Sequence, residues 1–193
     1  TLHKYIHAIS PYMTNLYIKT CNKWKLKSGY YYWMIIIGWL QHLQVLTIDD
    51  VNQGFFYQIQ KYLVKGFKYF KENGGSLKKF KLWNCSSIVD DKMMACLREC
   101  PDLESLHLTK CTLNFDTCKN IGKILSDYKN IWELDLTGSY ILQQYSKEIA
   151  DGLMRAKRIE SIWLRGVTSI GTGISQILYN LAFSPWIWNI DIS

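Results

Sequence analysis

The sequence predicts an α/β solenoid of about seven stacked units, with parallel strands on its concave face and helices on its convex face. Three observations predict it. First, an apolar-x-x-apolar-x-apolar frame recurs seven times, and the first residues of successive frames are 30, 34, 26, 28, 28 and 28 apart. Second, apolar and polar residues alternate at the end of each frame. Third, a segment with helical spacing follows the later frames. Such fixed periods indicate stacked supersecondary units.

Each frame predicts one short strand. The fourth and sixth places are apolar and alternate with polar residues, a period of two that is typical of a strand with one buried face. The frames begin at Met13, Leu43, Leu77, Leu103, Ile131, Ile159 and Ile187.

The segments between frames predict helices. Apolar or small residues at the sixteenth, nineteenth and twenty-third places of three consecutive units would lie on one helix face, directed at the strands. These sets are Cys118, Ile121 and Leu125; Ser146, Ile149 and Leu153; and Ile174, Ile177 and Leu181.

Helix boundaries mark further elements. Asp residues precede a helical run from Lys92 to Cys100, and Pro101 follows it. The apolar stretch from Tyr30 to Leu40 predicts a buried helix. A longer helix is predicted from Gln53 to Lys71, and two glycines follow it. This helix explains the 34-residue distance between the second and third frames. We therefore expect residues 53–75 to be a longer helix insertion on the convex side.

Composition is that of one folded domain over residues 1–193. The chain is 48% hydrophobic and carries a net charge of +7. No stretch of about 18 apolar residues is present, so we expect no membrane span. The last frame ends with the chain and no polar capping unit follows, which predicts a segment of a longer protein or an end capped by a partner.

The chain has six cysteines, several of them at repeat places where a small buried side chain fits: Cys21, Cys85, Cys96, Cys100, Cys111 and Cys118. We interpret them as reduced thiols of an intracellular protein, in the cytoplasm or cytoskeleton. Disulfides in a secreted repeat protein are the alternative.

The strand, turn and helix units resemble leucine-rich repeats, and the resemblance covers nearly the whole chain. The spacing of 28 from Leu103 onward is similar to the ribonuclease-inhibitor-like class. The stretch from Leu77 to Cys111 resembles the cysteine-containing repeats of F-box proteins. The resemblance implies a curved horseshoe whose exposed positions bind other proteins. At the ninth place, where the family has Asn or Cys, the chain keeps Cys21, Cys85 and Cys111 but departs with Val51, Ser139 and Val167.

Places two, three, five and seven of each frame predict the concave face. Tryptophan is a preferred anchor of protein interfaces, and four tryptophans occupy these places. The predicted partner-binding residues are Trp83, Trp132, Trp163, Trp188, Glu133, Asp135 and Arg165. Mutual cover of the tryptophans, or a terminal extension filling the cavity, is the alternative.

A second candidate surface is basic. Lysines recur along the predicted insertion helix and the following strand, at Lys61, Lys65, Lys68, Lys71, Lys78, Lys79 and Lys81. Such a patch would suit an acidic protein, a nucleic acid or a lipid headgroup. A solvated helix face is the favoured interpretation, because no nucleic-acid motif accompanies the lysines.

No catalytic, cofactor or metal site is predicted. The register separates Cys96 and Cys100 in the helix layer from His107 on the concave face and Cys111 in a turn, so they would not converge on zinc. No nucleophile, base and orienting acid are assembled by the spacing, and no small-molecule substrate is evident. We therefore expect a non-enzyme.

Three functions follow as hypotheses. The first is a protein-interaction and scaffold module in a multi-subunit intracellular assembly, for which a cytoskeletal or ciliary setting rests on family analogy alone. The second is the substrate-recognition part of an F-box-type ubiquitin ligase, which co-purification with ligase core subunits would test. The third is a GTPase activator, which a GTP hydrolysis assay would test.

Overall fold

A computed structural model of the chain describes residues 10–19, 36–49, 53–85, 89 and 91–193, with side chains from Tyr62 onward in the helix that begins at Gln53. Cys21, Val51 and most of the predicted helix at Tyr30 to Leu40 lie outside the described residues. Residues 36–39, near the end of that segment, are helical. The described part is an α/β structure built on a parallel sheet.

Seven strands form the main sheet, and their order in the sheet follows their order in the sequence. They are β1 (Asn15–Lys19), β2 (Val45–Asp49), β3 (Lys79–Trp83), β4 (Ser105–Thr109), β6 (Glu133–Asp135), β8 (Ser161–Trp163) and β9 (Asn189–Asp191). Two short strands, β5 (Thr112–Leu113) and β7 (Tyr140–Ile141), pair in a second parallel sheet. All neighbouring strands of the main sheet are parallel, because a helix or other connection returns the chain between successive strands.

The sheet register reproduces the sequence frame. Fourth-place residues pair across every neighbouring strand: Leu16, Leu46, Phe80, Leu106, Leu134, Ile162 and Ile190. The first frame, which starts at the atypical Met13, joins this register through Leu16. The prediction that one frame forms one strand is confirmed.

Helices connect the strands. They are α1 (Gln53–Glu72), α2 (Asp91–Leu97), α3 (Phe115–Asp127), α4 (Ser146–Arg155) and α5 (Gly173–Leu181), with 3₁₀ turns at Ser10–Tyr12 and Gln143–Tyr145. Helix α2 ends at Leu97, three residues before the predicted end, and a turn leads to Pro101. Asn114 caps α3, because its side-chain oxygen accepts a hydrogen bond from Thr117 N at 2.8 Å.

The core lies between the helices and one face of the sheet. Apolar residues of the strands and of the helix faces belong to one buried cluster, and Phe67 of α1 contacts Phe80 of β3 with ring centroids 6.2 Å apart. Eight of the nine residues in the three predicted helix sets are buried, and Ile174 is half-buried. The predicted helix face is therefore confirmed.

Helices α3 and α4 approach each other through glycine. A Cβ atom added to Gly152 would lie 2.5 Å from the Cα atom of Gly122, and one added to Gly122 would contact the carbonyl oxygen of Glu148. Neither position has room for a side chain.

A left-handed residue ends the strand segment in four consecutive units. The eighth place has a positive φ in each: 53° at Asn84, 53° at Lys110, 66° at Gly138 and 61° at Gly166. This conformation favours glycine, and two of the four positions have it. It turns the chain towards the following turn and helix.

The ninth place links neighbouring units through Ser139. Its hydroxyl donates to the carbonyl of Leu108 and accepts from Cys111 N at 2.9 Å. Serine thus makes side-chain bonds to the preceding unit.

Within the described residues, no helix is long and apolar enough to cross a membrane.

Candidate partner-binding face

Strand alternation gives the sheet a second face, opposite the helices. Because Phe80 and Leu82 point into the core, their neighbours Lys79 and Lys81 point away from it. The same holds along the sheet. We call the surface formed by the second, third, fifth and seventh frame places the outer sheet face; on β3 to β9 its strand residues are Lys79, Lys81, Trp83, Ser105, His107, Thr109, Glu133, Asp135, Ser161, Trp163, Asn189 and Asp191.

The four predicted tryptophans lie on or beside this face, with different exposure. Trp83 is 37% exposed and Trp188 is 73% exposed, whereas Trp132 and Trp163 are half-buried. The indole N–H of Trp188 donates to Glu160 at 3.4 Å. Large aromatic area remains open to solvent.

Two lysines stack on tryptophans at the β3 end of the face. The Nζ atom of Lys79 is 5.3 Å from the ring centroid of Trp132, and that of Lys81 is 6.0 Å from the ring centroid of Trp83. Both distances lie within the range of a cation–π contact.

Charge changes sign across the face. Strand β3 contributes Lys79 and Lys81, with Lys78 at the second place paired to Glu104 at 3.1 Å. From β4 to β9 the second, third, fifth and seventh places carry five carboxylates and one guanidinium: Glu104, Glu133, Asp135, Glu160, Asp191 and Arg165. This half is acidic although the whole chain carries a charge of +7.

A histidine is enclosed by two of these carboxylates. His107 is only 8% exposed; its Nε2 lies 3.0 Å from a carboxylate oxygen of Glu133, and its Nδ1 lies 3.5 Å from one of Asp135. The Nε2 contact is short but falls outside strict hydrogen-bond geometry. Ser105 donates to the same oxygen of Glu133 at 2.7 Å. The contact with His107, helped by Ser105 and opposed by burial, lowers the pKa of Glu133 to about 2.

This network was not predicted from the sequence. The frames place His107 on an open face, whereas Ser105, His107 and Ser161 are all buried in the structure. The signal was present in the frames, since His107 and Asp135 share the fifth place and Ser105 and Glu133 share the third. Residues at the same place of adjacent units become cross-strand neighbours, as the register shows.

The predicted basic patch divides between two surfaces. Lys65, Lys68 and Lys71 lie on α1, in the helix layer, whereas Lys79 and Lys81 lie on the outer sheet face. Lys71 pairs with Glu99 of the turn after α2, and Lys68 lies 4.0 Å from Glu72. The side chain of Lys61 lies outside the described residues.

A groove accompanies the helix lysines. It has a volume of about 440 Å³ and lies between α1 and the α2 segment, with Val64, Phe67 and Cys96 among its lining residues and Lys65, Lys68 and Lys71 beside them. The last two lysines face Glu72 and Glu99, so the charge of this rim is largely balanced.

The cysteines belong to the packed interior. The five that the structure describes form no disulfide with one another; Cys96 is half-buried, and the others are buried. Burial raises the pKa of Cys100, of Cys111 and, to about 12, of Cys118. The Sγ atom of Cys111 lies 3.6 Å from the carbonyl oxygen of Leu82 in the preceding unit.

No protein-family model matches the chain. Part of it is similar to the NLR family CARD domain-containing protein 4 of Xenopus tropicalis. The identity is 28% over 131 residues, which cover 60% of this chain. The chain spans only 13% of the length of that relative. This distant similarity suggests a protein-interaction or signalling module and no more specific activity.

Proposed function

We propose that the chain is a leucine-rich-repeat protein-interaction module whose outer sheet face binds a partner protein, with no enzymatic activity of its own. In this proposal the sheet forms the concave face of a solenoid and the helices its convex face. The module would serve as a scaffold within a multi-subunit intracellular assembly. The frame-by-frame sheet register supports the fold, and the NLR-family similarity is compatible with it.

The observation that carries the proposal is the tryptophan set of the outer sheet face. Trp83 and Trp188 are exposed, and Trp132 and Trp163 retain open surface beside them. Tryptophan is enriched among the residues that dominate binding energy at protein interfaces. Side chains held on a sheet also present a preordered surface, which lowers the entropy lost when a partner binds.

Affinity purification from the native source, followed by cross-linking mass spectrometry, tests the proposal. We expect the wild-type chain to capture specific proteins and to cross-link to them through residues of the outer sheet face. The double substitution Trp132→Ala and Trp163→Ala should abolish this capture while circular dichroism shows a folded chain.

The matched control removes exposed apolar side chains from the helix layer. Met154 of α4 and Tyr179 of α5 are both exposed. The substitutions Met154→Ala and Tyr179→Ala should leave capture unchanged. Equal capture by the tryptophan double variant and the wild type would exclude the outer sheet face as the binding surface.

A further inference from the structure

The tryptophans of the outer sheet face occupy two kinds of environment. At the β3 end, Trp83 and Trp132 each have a lysine ammonium of the same chain near the ring, at 6.0 Å and 5.3 Å from the centroids. At the other end, no cation–π contact is formed by Trp163 or Trp188 within the part of the chain that the structure describes. Trp83 and Trp132 therefore have a cation from the same chain, whereas Trp163 and Trp188 could receive one from a ligand.

Trp163 lies between two carboxylates. In the register of the sheet it is opposite Asp135 on one side and Asp191 on the other. Neighbouring strands are about 4.8 Å apart, so all three side chains emerge within reach of one ligand group. A cation over the indole ring would therefore also meet negative charge on both sides.

Hydrogen bonds within the chain orient both carboxylates. The Oδ1 atom of Asp135 accepts from Thr137 N at 2.8 Å, whereas its Oδ2 atom has only longer contacts, at 3.4 Å to Thr109 and 3.5 Å to His107. The Oδ1 atom of Asp191 accepts from both the amide and the hydroxyl of Ser193, at 3.1 and 2.8 Å. These bonds orient both carboxylates through Oδ1. The Oδ2 atom of Asp135 also accepts a long hydrogen bond from Thr109, which a ligand donor would share or replace.

We propose that the acidic half of the outer sheet face binds an extended basic segment of the partner protein, which places a lysine or arginine side chain over Trp163 between Asp135 and Asp191. The inference rests on the proposed function and names the chemistry of its partner. An acidic segment would meet like charge from Glu133, Asp135 and Asp191, which outnumber Arg165 of the same half. Glu104 and Glu160 are already paired, with Lys78 at 3.1 Å and with Arg158 at 3.4 Å. The net charge of +7 would oppose a basic partner at long range, so the attraction must be local to this surface.

Selection from a random peptide library on the immobilised chain tests the inference. We expect the selected peptides to be enriched in lysine and arginine. Their affinity should fall about tenfold or more in the double variant Asp135→Asn and Asp191→Asn, because a cation that loses both charged neighbours binds less strongly. Asparagine keeps the oxygen that accepts from the backbone, so the variant should fold.

Two controls keep the result interpretable. Asp116→Asn with Asp151→Asn removes the same charge from helices α3 and α4 and should leave affinity unchanged. Added salt should weaken binding of a selected basic peptide to the wild type, a measurement that does not depend on any variant folding. Salt-independent binding would contradict the inference.

The outcomes also separate this inference from the proposed function. Peptides that lose affinity in Trp163→Ala but carry no excess of lysine or arginine would overturn the basic segment and keep the binding face. A selection that yields no peptide sensitive to Trp132→Ala or Trp163→Ala would overturn both.

Discussion

Contacts between neighbouring units fix several residues of the outer sheet face. His107 comes from β4, and the carboxylates that enclose it, Glu133 and Asp135, come from β6. Ser105 of β4 completes the link through its bond to Glu133. A polar group with such partners can be buried, whereas an unpartnered one would destabilise the fold. The network therefore joins two units on the side of the sheet that has no apolar core.

Glu133 should make stability depend on pH in the acidic range. Its pKa is lowered from 4.5 to about 2, so the ionised carboxylate stabilises the folded state. This contribution is present above the unfolded-state pKa and is lost as pH falls from about 4.5 towards 2. Urea unfolding should show Glu133→Gln to be less stable than the wild type at pH 5, and the gap should narrow as pH falls below 4.5.

Glu72→Gln is the control for this prediction, because Glu72 is exposed on α1 and its 4.0 Å ion pair with Lys68 contributes little. Its stability difference from the wild type should stay small over the same pH range. A gap between Glu133→Gln and the wild type that does not change with pH would show that the carboxylate charge is unimportant.

Sequence reasoning reached some of these residue-level features and missed others. The frames predicted one strand each and which strand residues share a face, but the polar pairs across strands, such as His107 with Asp135, were identified only in the structure. The frames also did not predict the left-handed backbone at Lys110, since lysine has no preference for that conformation. The conformation of Lys110 is held by a contact with the next unit, since its amide donates to the carbonyl of Thr137 at 2.8 Å.

At the scale of elements, helix faces were predictable and helix contacts were not. Spacings of three and four identify Ile121 in α3 and Ile149 in α4 as core residues, and each assignment needs only the sequence of its own helix. The approach of Gly122 to Gly152 depends on how α3 and α4 lie against each other, which no single helix encodes. The predicted lysine patch likewise divides between two surfaces. Its α1 residues lie in the helix layer, and its β3 residues lie on the opposite face of the sheet.

The substitution Gly152→Ala should reverse the usual effect of alanine in a helix. In an isolated helix, alanine is favoured over glycine by about 1 kcal/mol. Here the added Cβ would lie 2.5 Å from the Cα atom of Gly122, which is backbone that cannot rotate away. Overpacking costs roughly 1–3 kcal/mol, so we expect net destabilisation, measured as a lower denaturant midpoint.

Lys147→Ala in the same helix is the matched control, because Lys147 is exposed. It should change the free energy of unfolding by about 0.5 kcal/mol or less. A stabilising effect of Gly152→Ala would show that α3 and α4 are not in close contact at Gly122 and Gly152.

For the molecule as a whole, the buried cluster decides how the chain unfolds. One apolar cluster runs through the described units, from Ile18 in β1 to Leu181 at the end of α5. Stacked units stabilise one another mainly through their neighbours, so loss of one central unit uncovers those on both sides. We therefore expect the units from β3 to α3 to open together.

Thiol labelling tests this expectation site by site. Cys85, Cys100, Cys111 and Cys118 are buried and span β3 to α3, and burial raises the pKa of Cys118 to about 12. Because the thiolate is the reactive form, labelling must wait until unfolding exposes these groups. Pulse labelling with iodoacetamide at increasing urea, mapped by mass spectrometry, should show the four modified at the same midpoint.

Cys96 provides the internal comparison. It is half-buried and lines the groove between α1 and the α2 segment, so it should be labelled at lower urea than the other four. Separate midpoints for Cys85 and Cys118 would mean that the central units unfold independently. In that case the buried cluster, although continuous in structure, would not couple the units energetically, and the outer sheet face could lose one end while keeping the other.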